Sequence, residues 1–320
     1  MTYIGIDVSK DSFVAAYPAK SGYTTKTFPN TTSGVRRFIQ TLPVESHCVM
    51  EATGNYSMLL LYLLQETNIP VSMENPQKIK NFSRAMLSVT KTDDIDAKLI
   101  AMYGEKMEPA PYKIPSESII MLKQKRTVLR QLKKQLTMMI NLQHSLSVLP
   151  KQDPTAKVVT EQTIKHLRKQ ISKMEEEITN LSNKEFKRQM DLLTSIKGIG
   201  ENIASALIMA TGGFTYFSSA KQISRFLGLC PTYQQSGTSV HVKGHINRNG
   251  DTHLRSQLYV IAFASIRFNS ACRETYERLR DRGKSGKVAI VAVANKLIRQ
   301  AFAVVSNNRP YIDGYVSTLP

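Results

Sequence analysis

The sequence predicts a mixed α/β domain at the N-terminus, then a long helical hairpin, and then a mainly helical C-terminal region. In the first third of the chain, short apolar runs alternate with helix-like segments, which is typical of a sheet with helices on its faces. Beyond Pro115, apolar residues recur at heptad spacing, and Pro150 and Pro154 separate two heptad runs. We therefore predict three domains, at residues 1–110, 111–188 and 189–320.

The N-terminal domain is predicted to open with a three-strand meander. Residues 2–8 form an apolar strand, and residues 13–17 and 24–28 form two more strands, with a turn near Gly22 between them. Helices and strands then alternate, which gives the order β-β-β-α-β-α-β-α. The later elements are a helix from Thr32 or Ser33 to Leu42, a strand at 47–51, a helix at 57–65, a strand at 69–73, a helix at 78–86 and a helix from about Asp94.

The predicted hairpin carries apolar residues at heptad a and d positions, which is typical of an antiparallel coiled coil. One side of its first helix is basic and meets no acidic counterpart between positions 118 and 150. Such a face is usually solvated surface, but in a strongly basic protein contact with phosphates is at least as good an interpretation. The basic residues are Lys123, Lys125, Arg126, Arg130, Lys133 and Lys134.

The C-terminal region begins with Gly198 and Gly200, which form a Gly-x-Gly turn before an apolar helix at 203–210. Free backbone N–H groups at such a turn bind phosphate in helix-hairpin-helix modules, and a tight turn between packed helices explains the glycines equally well. A polar loop is predicted at 232–250. The remaining helices are predicted near 220–227, 254–266, 273–282 and 288–305.

The composition favours an intracellular protein that handles a polyanion. The chain has 43 Lys plus Arg against 25 Asp plus Glu, a net charge of +18, so nucleic acid is the expected partner. An anionic membrane surface is the weaker alternative, because there is no basic amphipathic terminal helix or lipidation signal. No apolar run approaches a membrane span and no targeting peptide is recognisable, so we expect a cytoplasmic location. The 3 scattered cysteines argue against disulfides and a thiolate zinc site.

Four carboxylates from three elements are candidate metal ligands. Asp93 and Asp96 share a helix face, although alone they are more simply explained as an acidic first turn capped by Thr92. Asp7 and Glu51 end strands that would be adjacent in an RNase H-like sheet, in which the first and fourth strands pair. Carboxylate oxygens suit Mg²⁺ or Mn²⁺, and two such ions can clamp the attacking and leaving oxygens of a phosphodiester.

Three segments resemble motifs of the DEDD insertion-sequence transposases, the IS110 family. They are Gly5-Ile-Asp7-Val-Ser-Lys10, Glu51-Ala-Thr-Gly54-Asn-Tyr56 and Lys91-Thr-Asp93-Asp-Ile-Asp96-Ala97. Three later segments are similar to the C-terminal transposase domain of that family, so the resemblance extends over nearly the whole chain. They are Phe226-Leu-Gly-Leu-Cys-Pro231, Ser236-Gly-Thr-Ser239 and Gly250-Asp-Thr-His-Leu254-Arg255.

The resemblance implies an RNA-guided recombinase. Members of the family use an element-encoded bridge RNA that pairs with donor and target DNA, and their strand exchange is thought to pass through a covalent phosphoserine. The implied partners are therefore donor DNA, target DNA and the non-coding RNA, within the nucleoid of a prokaryotic cell. The predicted coiled coil suggests a homodimer, and the exchange of two duplexes suggests a dimer of dimers.

The resemblance also implies roles for individual residues. A RuvC-like N-terminal domain would hold Mg²⁺, with Mn²⁺ as an alternative, through the four carboxylates named above. The nucleophilic serine aligns with Ser236, with Ser239 as the second choice. On its chemistry alone this loop is more simply a polar turn, because no base lies within it. Asp94 lies off the face shared by Asp93 and Asp96, so we predict that it is dispensable.

Basic residues of the C-terminal region are expected phosphate contacts. The chain departs from the family's Lys-x-Gly-Asn pattern, with Asn247-Arg-Asn-Gly250-Asp251 in its place, so that Arg248 supplies the positive charge. The segment Gly283-Lys-Ser-Gly-Lys287 lacks the first glycine of a Walker A motif and follows a helix, so we expect phosphate-backbone contact there and not ATP binding. The expected contacts are Lys243, Arg248, Arg255, Lys284 and Lys287.

Two other functions fit the same sequence. A junction-resolving nuclease would use the same acidic pocket with water as the nucleophile, and would leave no covalent product. A non-enzymatic scaffold would bind RNA or DNA through the coiled coil and the glycine turn. It is the weakest candidate, because carboxylates within a phosphate-binding region reduce affinity unless a metal offsets them.

Overall fold

The computed structural model describes residues 1–52, 54–87, 92–236, 240–246 and 250–314, with the backbone alone at 232–236 and 240–245. They fall into two units, Met1–Ile114 and Pro115–Pro320. The first unit contains the predicted N-terminal domain. The residues that the sequence analysis divided between a second and a third domain, at position 188, lie together in the second unit.

The first unit is a mixed sheet with helices on both faces, as predicted. Its strands follow the order β3-β2-β1-β4-β5, in which β1 pairs antiparallel with β2 and parallel with β4. The predicted adjacency of the first and fourth strands is therefore confirmed. The elements are β1 Thr2–Val8, β2 Ser12–Ala19, β3 Gly22–Pro29, α1 Thr32–Ile39, β4 Ser46–Glu51, a short 3₁₀ turn Asn55–Ser57, α2 Met58–Glu66, β5 Val71–Glu74, α3 Pro76–Ala85 and α4 Asp93–Met107.

Alternation along the strands divides the core of this unit between the two faces of the sheet. On one face, Ile4 and Ile6 of β1 are buried together with Phe38 of α1 and Leu60 of α2. The residues between them on β1, beginning with Gly5, point to the opposite face, because successive strand residues alternate. That opposite face is covered by α4.

Helix α4 lies directly on the backbone of β1, because glycine occupies the point of contact. A Cβ added at Gly5 would lie 2.7 Å from Cα of Ala101 and closer still to the backbone of Ala97. At Gly104, farther along the helix, an added Cβ would come within 2.9 Å of the Tyr3 ring. These close approaches fix the position of α4 over the strand.

The second unit begins with two long helices that run antiparallel. Helix α5 is Glu117–Ser147 and helix α6 is Pro154–Glu185. Asp153 caps α6 by accepting a hydrogen bond from Ala156 N at 2.8 Å, and Pro154 occupies the first helical position. The antiparallel direction is evident from side-chain pairs, since Ser118 contacts Glu185 near the base of the hairpin. The predicted helical hairpin is therefore present.

The rest of the second unit is mainly helical, as predicted, around one apolar core. The core is built from α7, α8, α9, α10, α11 and α12, and the base of α5 packs on it through Ile119. The elements are α7 Lys187–Thr194, α8 Glu201–Thr211, α9 Ala220–Phe226, β6 Pro231–Ser236, β7 Val240–Ile246, α10 Thr252–Phe268, α11 Ser270–Asp281 and α12 Gly286–Ser306.

Two expectations for this unit were wrong. The segment predicted as a polar loop contains the antiparallel hairpin of β6 and β7. The polar run Thr232–Gln235 does not show the apolar alternation by which strands are recognised, yet its backbone groups are satisfied by pairing with β7. In addition, α12 is long and apolar enough to cross a membrane, although no such run was expected. Its side chains Val293, Ala294 and Leu297 pack in the core of the unit, which is the behaviour of a core helix.

Candidate metal centre and nucleic-acid contacts

Asp7 and Glu51 occupy matching positions at the carboxyl ends of neighbouring parallel strands. Gly5 of β1 is paired with Val49 of β4, so Asp7 and Glu51, two residues farther on, are at the same level of the sheet. Gly5 and Val49 both pack against α4. Because alternate residues share a face, Asp7 and Glu51 are on the α4 side of the sheet.

The first turn of α4 lies over this end of the sheet. Gly104 lies on Tyr3, whereas Ala97 and Ala101 lie on Gly5, so the helix runs in the direction opposite to β1. The amino end of α4 is therefore placed over the carboxyl end of β1. The sequence begins the helix there because the Thr92 hydroxyl accepts a hydrogen bond from Ile95 N at 3.3 Å.

Asp93 and Asp96 continue two rows of side chains that face the sheet. Asp93 is four residues before Ala97, which packs over β1 and β2. Asp96 is four residues before Ile100, which packs against Val49 of β4. Asp93 is thus aligned with the strand of Asp7, and Asp96 with the strand of Glu51.

Asp94 lies on the other flank of the helix. It is in line with Glu105, three turns farther along, whose carboxylate accepts a hydrogen bond from the Tyr23 hydroxyl of β3 at 2.7 Å. The Asp94 flank therefore faces the β3 edge of the sheet, away from β4. This position agrees with the sequence reasoning, and the dispensability of Asp94 stays a prediction.

The four carboxylates converge by backbone position, but their side chains are not gathered into a cluster. Among the residues that the structure describes, no three His, Cys, Asp or Glu side chains lie close enough to hold one metal ion. Asp7, Glu51 and Asp96 each already interact with another residue. The structure therefore shows a corner of the sheet with suitable oxygen donors, and a metal site there stays a prediction.

Glu74 is a carboxylate at this corner that the sequence analysis missed. It ends β5 in register with Glu51 of β4, and its side chain is nearly buried. Lys78 of α3 pairs with it at 2.8 Å. Its place at the end of an apolar run, the same signal that identified Glu51, could have revealed it.

The basic face of α5 has acidic partners that the sequence analysis did not find. Lys125 Nζ lies 2.8 Å from Glu177 Oε2, and Lys133 Nζ lies 2.6 Å from Glu175 Oε1. The expectation that this face meets no acidic counterpart was therefore wrong. The partners come from α6, about fifty residues away in the sequence but adjacent in an antiparallel hairpin.

The other predicted basic residues of α5 differ in their surroundings. Lys123 lies over the ring of Tyr216, 5.8 Å from its centroid, and partial burial lowers the pKa of its ammonium group. Arg126 donates hydrogen bonds to the carbonyl of Ala206 and to Gln257, which fasten α5 to α8 and α10. Arg130 and Lys134 are exposed.

The two glycines of the predicted phosphate-binding turn have different roles. Gly198 has a φ of +107°, and an added Cβ would collide with Ser265 of α10, so the turn needs glycine for packing. Gly200 is the N-cap residue of α8 and is exposed, with open space around its Cα. Gly200 is exposed and Gly198 is half-buried, and the phosphate contact at both stays a prediction.

The predicted nucleophile Ser236 is the last residue of β6 and pairs with Val240 across the tip of the hairpin. Ser239, the second choice, lies outside the described residues, as does Arg248. Lys243 belongs to β7, of which the backbone is described. The structure therefore places Ser236 at a hairpin tip and leaves its chemistry as a prediction.

The remaining predicted phosphate contacts belong to the helical part of the second unit. Arg255 donates a hydrogen bond to the carbonyl of Leu227 at 3.2 Å, which ties α10 to the end of α9. Lys284 is exposed in the turn between α11 and α12, and Lys287 is exposed in the first turn of α12. That turn follows a helix, as expected for a segment that is not a P-loop.

Comparisons with known proteins agree with the motifs. Residues 4–151 match a family model described as a transposase, the DEDD type of IS110, and residues 190–277 match the transposase IS116/IS110/IS902 family. The chain is 32% identical to a pilin gene-inverting protein of Moraxella bovis over 325 residues, 97% of each chain. It is also 32% identical to the pilin gene-inverting protein of Moraxella lacunata over 326 residues, again 97% of each.

Among solved structures, Thermus thermophilus RuvC in complex with a Holliday junction substrate matches 35% of this chain and 99% of that chain. The sequence identity is 13% and the TM-score is 0.26, a similarity too weak to assign a fold.

A mixed sheet with strand-end carboxylates, joined to a basic helical unit, together with these matches, defines a DNA transposase or recombinase. The chain belongs to the IS116/IS110/IS902 family of transposases. DNA is accordingly its substrate.

Proposed function

We propose that this transposase cuts and rejoins DNA with Mg²⁺ held at the α4 corner of its first unit and with a serine as the nucleophile. One observation carries the proposal. The β1–β4 register sets Asp7 and Glu51 side by side, beneath the turn of α4 that bears Asp93 and Asp96. Four carboxylates brought to one corner of the sheet by three separate elements are a donor set that a divalent cation would gather, because the cation would offset their mutual repulsion.

An RNase H-like fold for the first unit supports the proposal. The strand order β3-β2-β1-β4-β5, with β2 antiparallel to its neighbours and β4 and β5 parallel to β1, is the arrangement expected of that fold. In such a sheet the carboxyl ends of β1 and β4 present the metal ligands. The long α5–α6 hairpin would serve as the antiparallel coiled coil.

The donor set fits Mg²⁺, or Mn²⁺ as an alternative. Mg²⁺ is usually held by one or two carboxylates together with water and substrate phosphates, so a full cluster of protein ligands is not required before DNA binds. When bound, the ion would stabilise charge on the phosphate oxygens and lower the pKa of a bound hydroxyl. Asp7, Glu51, Asp93 and Asp96 would hold it, and α4 would orient the last two of them.

The serine step conserves the energy of the phosphodiester. The Oγ of Ser236 would form an ester bond to phosphorus as one P–O bond of the DNA backbone breaks, and the proton of Oγ would pass to the leaving hydroxyl through a base or solvent. A DNA hydroxyl could then reverse the exchange on a new strand. Ser239 is the alternative nucleophile in the same segment.

We also propose that a bridge RNA selects the DNA sites and that the active complex contains two dimers. The basic residues of α5 and of the C-terminal region, together with Gly200, would contact the nucleic-acid backbones. The net charge of +18 supports a polyanionic partner beyond what a small DNA contact would need. The two relatives named for pilin gene inversion support a recombinase that rejoins what it cuts.

The test is a denaturing gel of end-labelled donor DNA after reaction with the full chain, the element's non-coding RNA and Mg²⁺. We expect a protein-linked DNA band that disappears with EDTA and with Ser236→Ala, while that variant still binds RNA and DNA. Ser239→Ala is the matched control and should retain the band.

Each other outcome has a definite meaning. Loss of the band with Ser239→Ala alone would transfer the role to Ser239. Cut DNA without any protein-linked band would indicate a junction-resolving nuclease with water as nucleophile. Binding without any cleavage would indicate a scaffold.

A further inference from the structure

Four helices of the second unit enclose a small cleft that none of the sequence motifs identified. Its cavity has a volume of about 80 Å³ and lies between α5, α6, α8 and α10. A cavity needs about 10–15 Å³ on this measure to hold one water, so the cleft has room for a group of several heavy atoms, such as a phosphate. We name it the α5–α10 cleft.

Cations dominate the rim of the cleft. The cleft is lined from α5 by Arg126, Arg130 and Lys133, which follow one another at intervals of about one helical turn. His253 of α10 also lines it. Glu175 of α6 is the carboxylate in the lining, and it pairs with Lys133 at 2.6 Å. The lining therefore carries a positive charge in excess.

Acidic residues do not fully compensate the charges of Arg126 and Arg130. Asp251 lies 4.0 Å from Arg126, beyond hydrogen-bonding distance, and burial lowers the pKa of Arg126. Arg130 makes no ion pair with any residue in the described part of the chain. Arg126 is partly buried, and a partly buried cation that is incompletely compensated favours an anion beside it, while the exposed Arg130 is free to contact that anion.

The pKa of His253 is shifted in the direction expected beside an excess of positive charge. Burial and then the nearby charges of Arg126, Arg130 and Lys133 lower the pKa of His253, against the opposite effect of Asp251. The floor is apolar, formed by Leu129 and other aliphatic side chains. Electrostatic attraction is stronger beside such a floor than in open water.

The hydrogen-bond donors of the cleft are fixed before any ligand arrives. The Arg126 guanidinium is held by the Ala206 carbonyl at 3.3 Å and by Gln257 Oε1 at 3.2 Å. A guanidinium has five N–H donors, so these bonds leave others for a ligand. Asn202 in the first turn of α8 also lines the cleft. A preorganised donor set costs little entropy on binding.

From the cavity size, the excess of cations and the fixed donors, we infer that the α5–α10 cleft binds one backbone phosphate of a nucleic-acid strand. The ligand class is a phosphodiester, and the inference rests on the proposed function, which takes nucleic acid as the partner and the basic residues of α5 as its contacts. His253, Asn202 and Gln257 join the basic residues of α5 as contacts or supports. All residues that line the cleft belong to the second unit.

The test measures binding of the full chain to a labelled DNA duplex and, in a parallel arm, to a labelled RNA hairpin, in EDTA over about 50–200 mM salt. Each phosphate contact contributes about 0.9 to the slope of log affinity against log salt for duplex DNA. Arg130→Gln should therefore reduce the slope by about 0.9 and weaken binding about eightfold at 0.1 M salt. Arg130 makes no structural ion pair, so this variant should fold normally.

The control for Arg130→Gln is Arg168→Gln, which removes the same charge from an exposed position of α6 outside the cleft. A change in the DNA arm alone would identify DNA as the source of the phosphate, and a change in the RNA arm alone would identify RNA. Equal slopes for Arg130→Gln and wild type in both arms, or an equal effect of Arg168→Gln, would overturn the inference.

For a second pair of variants we predict a change in nucleic-acid affinity of the opposite sign. Glu175→Gln removes the carboxylate from the cleft and should tighten binding severalfold, although it also breaks an ion pair of the hairpin. Glu176→Gln changes the same charge on the next, exposed residue and should have a smaller effect. If Glu175→Gln bound no more tightly than Glu176→Gln, the role of Glu175 would be structural and the inference would fail. Absence of nucleic-acid binding by the wild type would instead contradict the proposed function itself.

Discussion

Replacing Gly5 by alanine tests the contact that positions the proposed metal corner. An added Cβ would lie 2.7 Å from Cα of Ala101 and closer to the backbone nitrogen of that residue and to the carbonyl oxygen of Ala97, whereas ordinary contact begins near 3.4 Å. All of these atoms belong to the backbone of α4. They cannot rotate away as a side chain could, so the helix must move from the strand by about 1 Å.

The cost in stability of Gly5→Ala follows from the groups that this movement separates. A gap of about 0.5–1 Å forfeits a quarter to a half of the dispersion energy of each atom pair. The separated groups include Ala97 and Ala101 of α4 and Val14 and Ala16 of β2, which are buried together. Overpacking usually costs about 1–3 kcal/mol, and because backbone atoms are involved we expect about 3 kcal/mol for Gly5→Ala. That is a large part of the roughly 5–15 kcal/mol by which domains are stable.

The assay is urea denaturation of the full chain followed by circular dichroism, with two comparison variants. Gly104→Ala meets side chains of Tyr3 and Val49 at 2.9 and 3.0 Å, and these can yield, so its cost should stay below about 1.5 kcal/mol. Gly286→Ala meets only the Tyr276 hydroxyl, at 3.7 Å, and should remain within about 0.5 kcal/mol of wild type. A Gly5→Ala protein with a wild-type midpoint would refute the described packing of α4 on β1.

Three further predictions concern stability. Burial lowers the pKa of His47 from 6.5, so the unfolded chain takes up more protons than the folded chain below that pH. The stability of the first unit should therefore fall on acidification. His47→Gln should remove this part of the fall in denaturation curves. Asn269→Ala leaves the buried N–H of Cys272 without its acceptor and the hydroxyl of Tyr311 with Asp313 as its remaining acceptor, and should cost about 2–3 kcal/mol in the same assay. Asp153→Ala removes the cap of α6 and should cost about 1 kcal/mol, whereas Asp153→Asn should cost less.

The sheet of the first unit was predictable because its strands carry strong local signals. Apolar runs with turn residues between them identified all five strands, and the order of elements was sufficient to place the first strand beside the fourth. The positions of Asp7 and Glu51 followed from that order. The close approach at Gly5 could not be predicted, because it depends on which face of α4 meets the strand.

Features that depend on distant pairing were missed. The partners of Lys125 and Lys133 come from the other helix of the hairpin, and the β6–β7 hairpin has no apolar alternation in its first strand. The α5–α10 cleft draws its lining from four helices, with His253 more than one hundred residues from Arg130. No spacing rule along the sequence relates such residues.

We propose that Asp93 on α4 is a metal ligand and that its neighbour Asp94 is not. Asp93→Asn and Asp94→Asn each remove one negative charge from the first turn of α4, so both lose the same helix-dipole interaction. Asp93 is four residues before Ala97, which packs over β1, whereas Asp94 is in line with Glu105 on the flank that faces β3. The two variants therefore differ in which direction the lost carboxylate faces, and little else.

The decisive measurement is the rate of Mg²⁺-dependent DNA strand cleavage by these two variants beside the wild type. Loss of even an outer-shell partner of a metal site costs about 10–100-fold, so Asp93→Asn should lose at least about 100-fold, while Asp94→Asn keeps the wild-type rate. Equal rates for the two variants, whether both high or both low, would contradict the account.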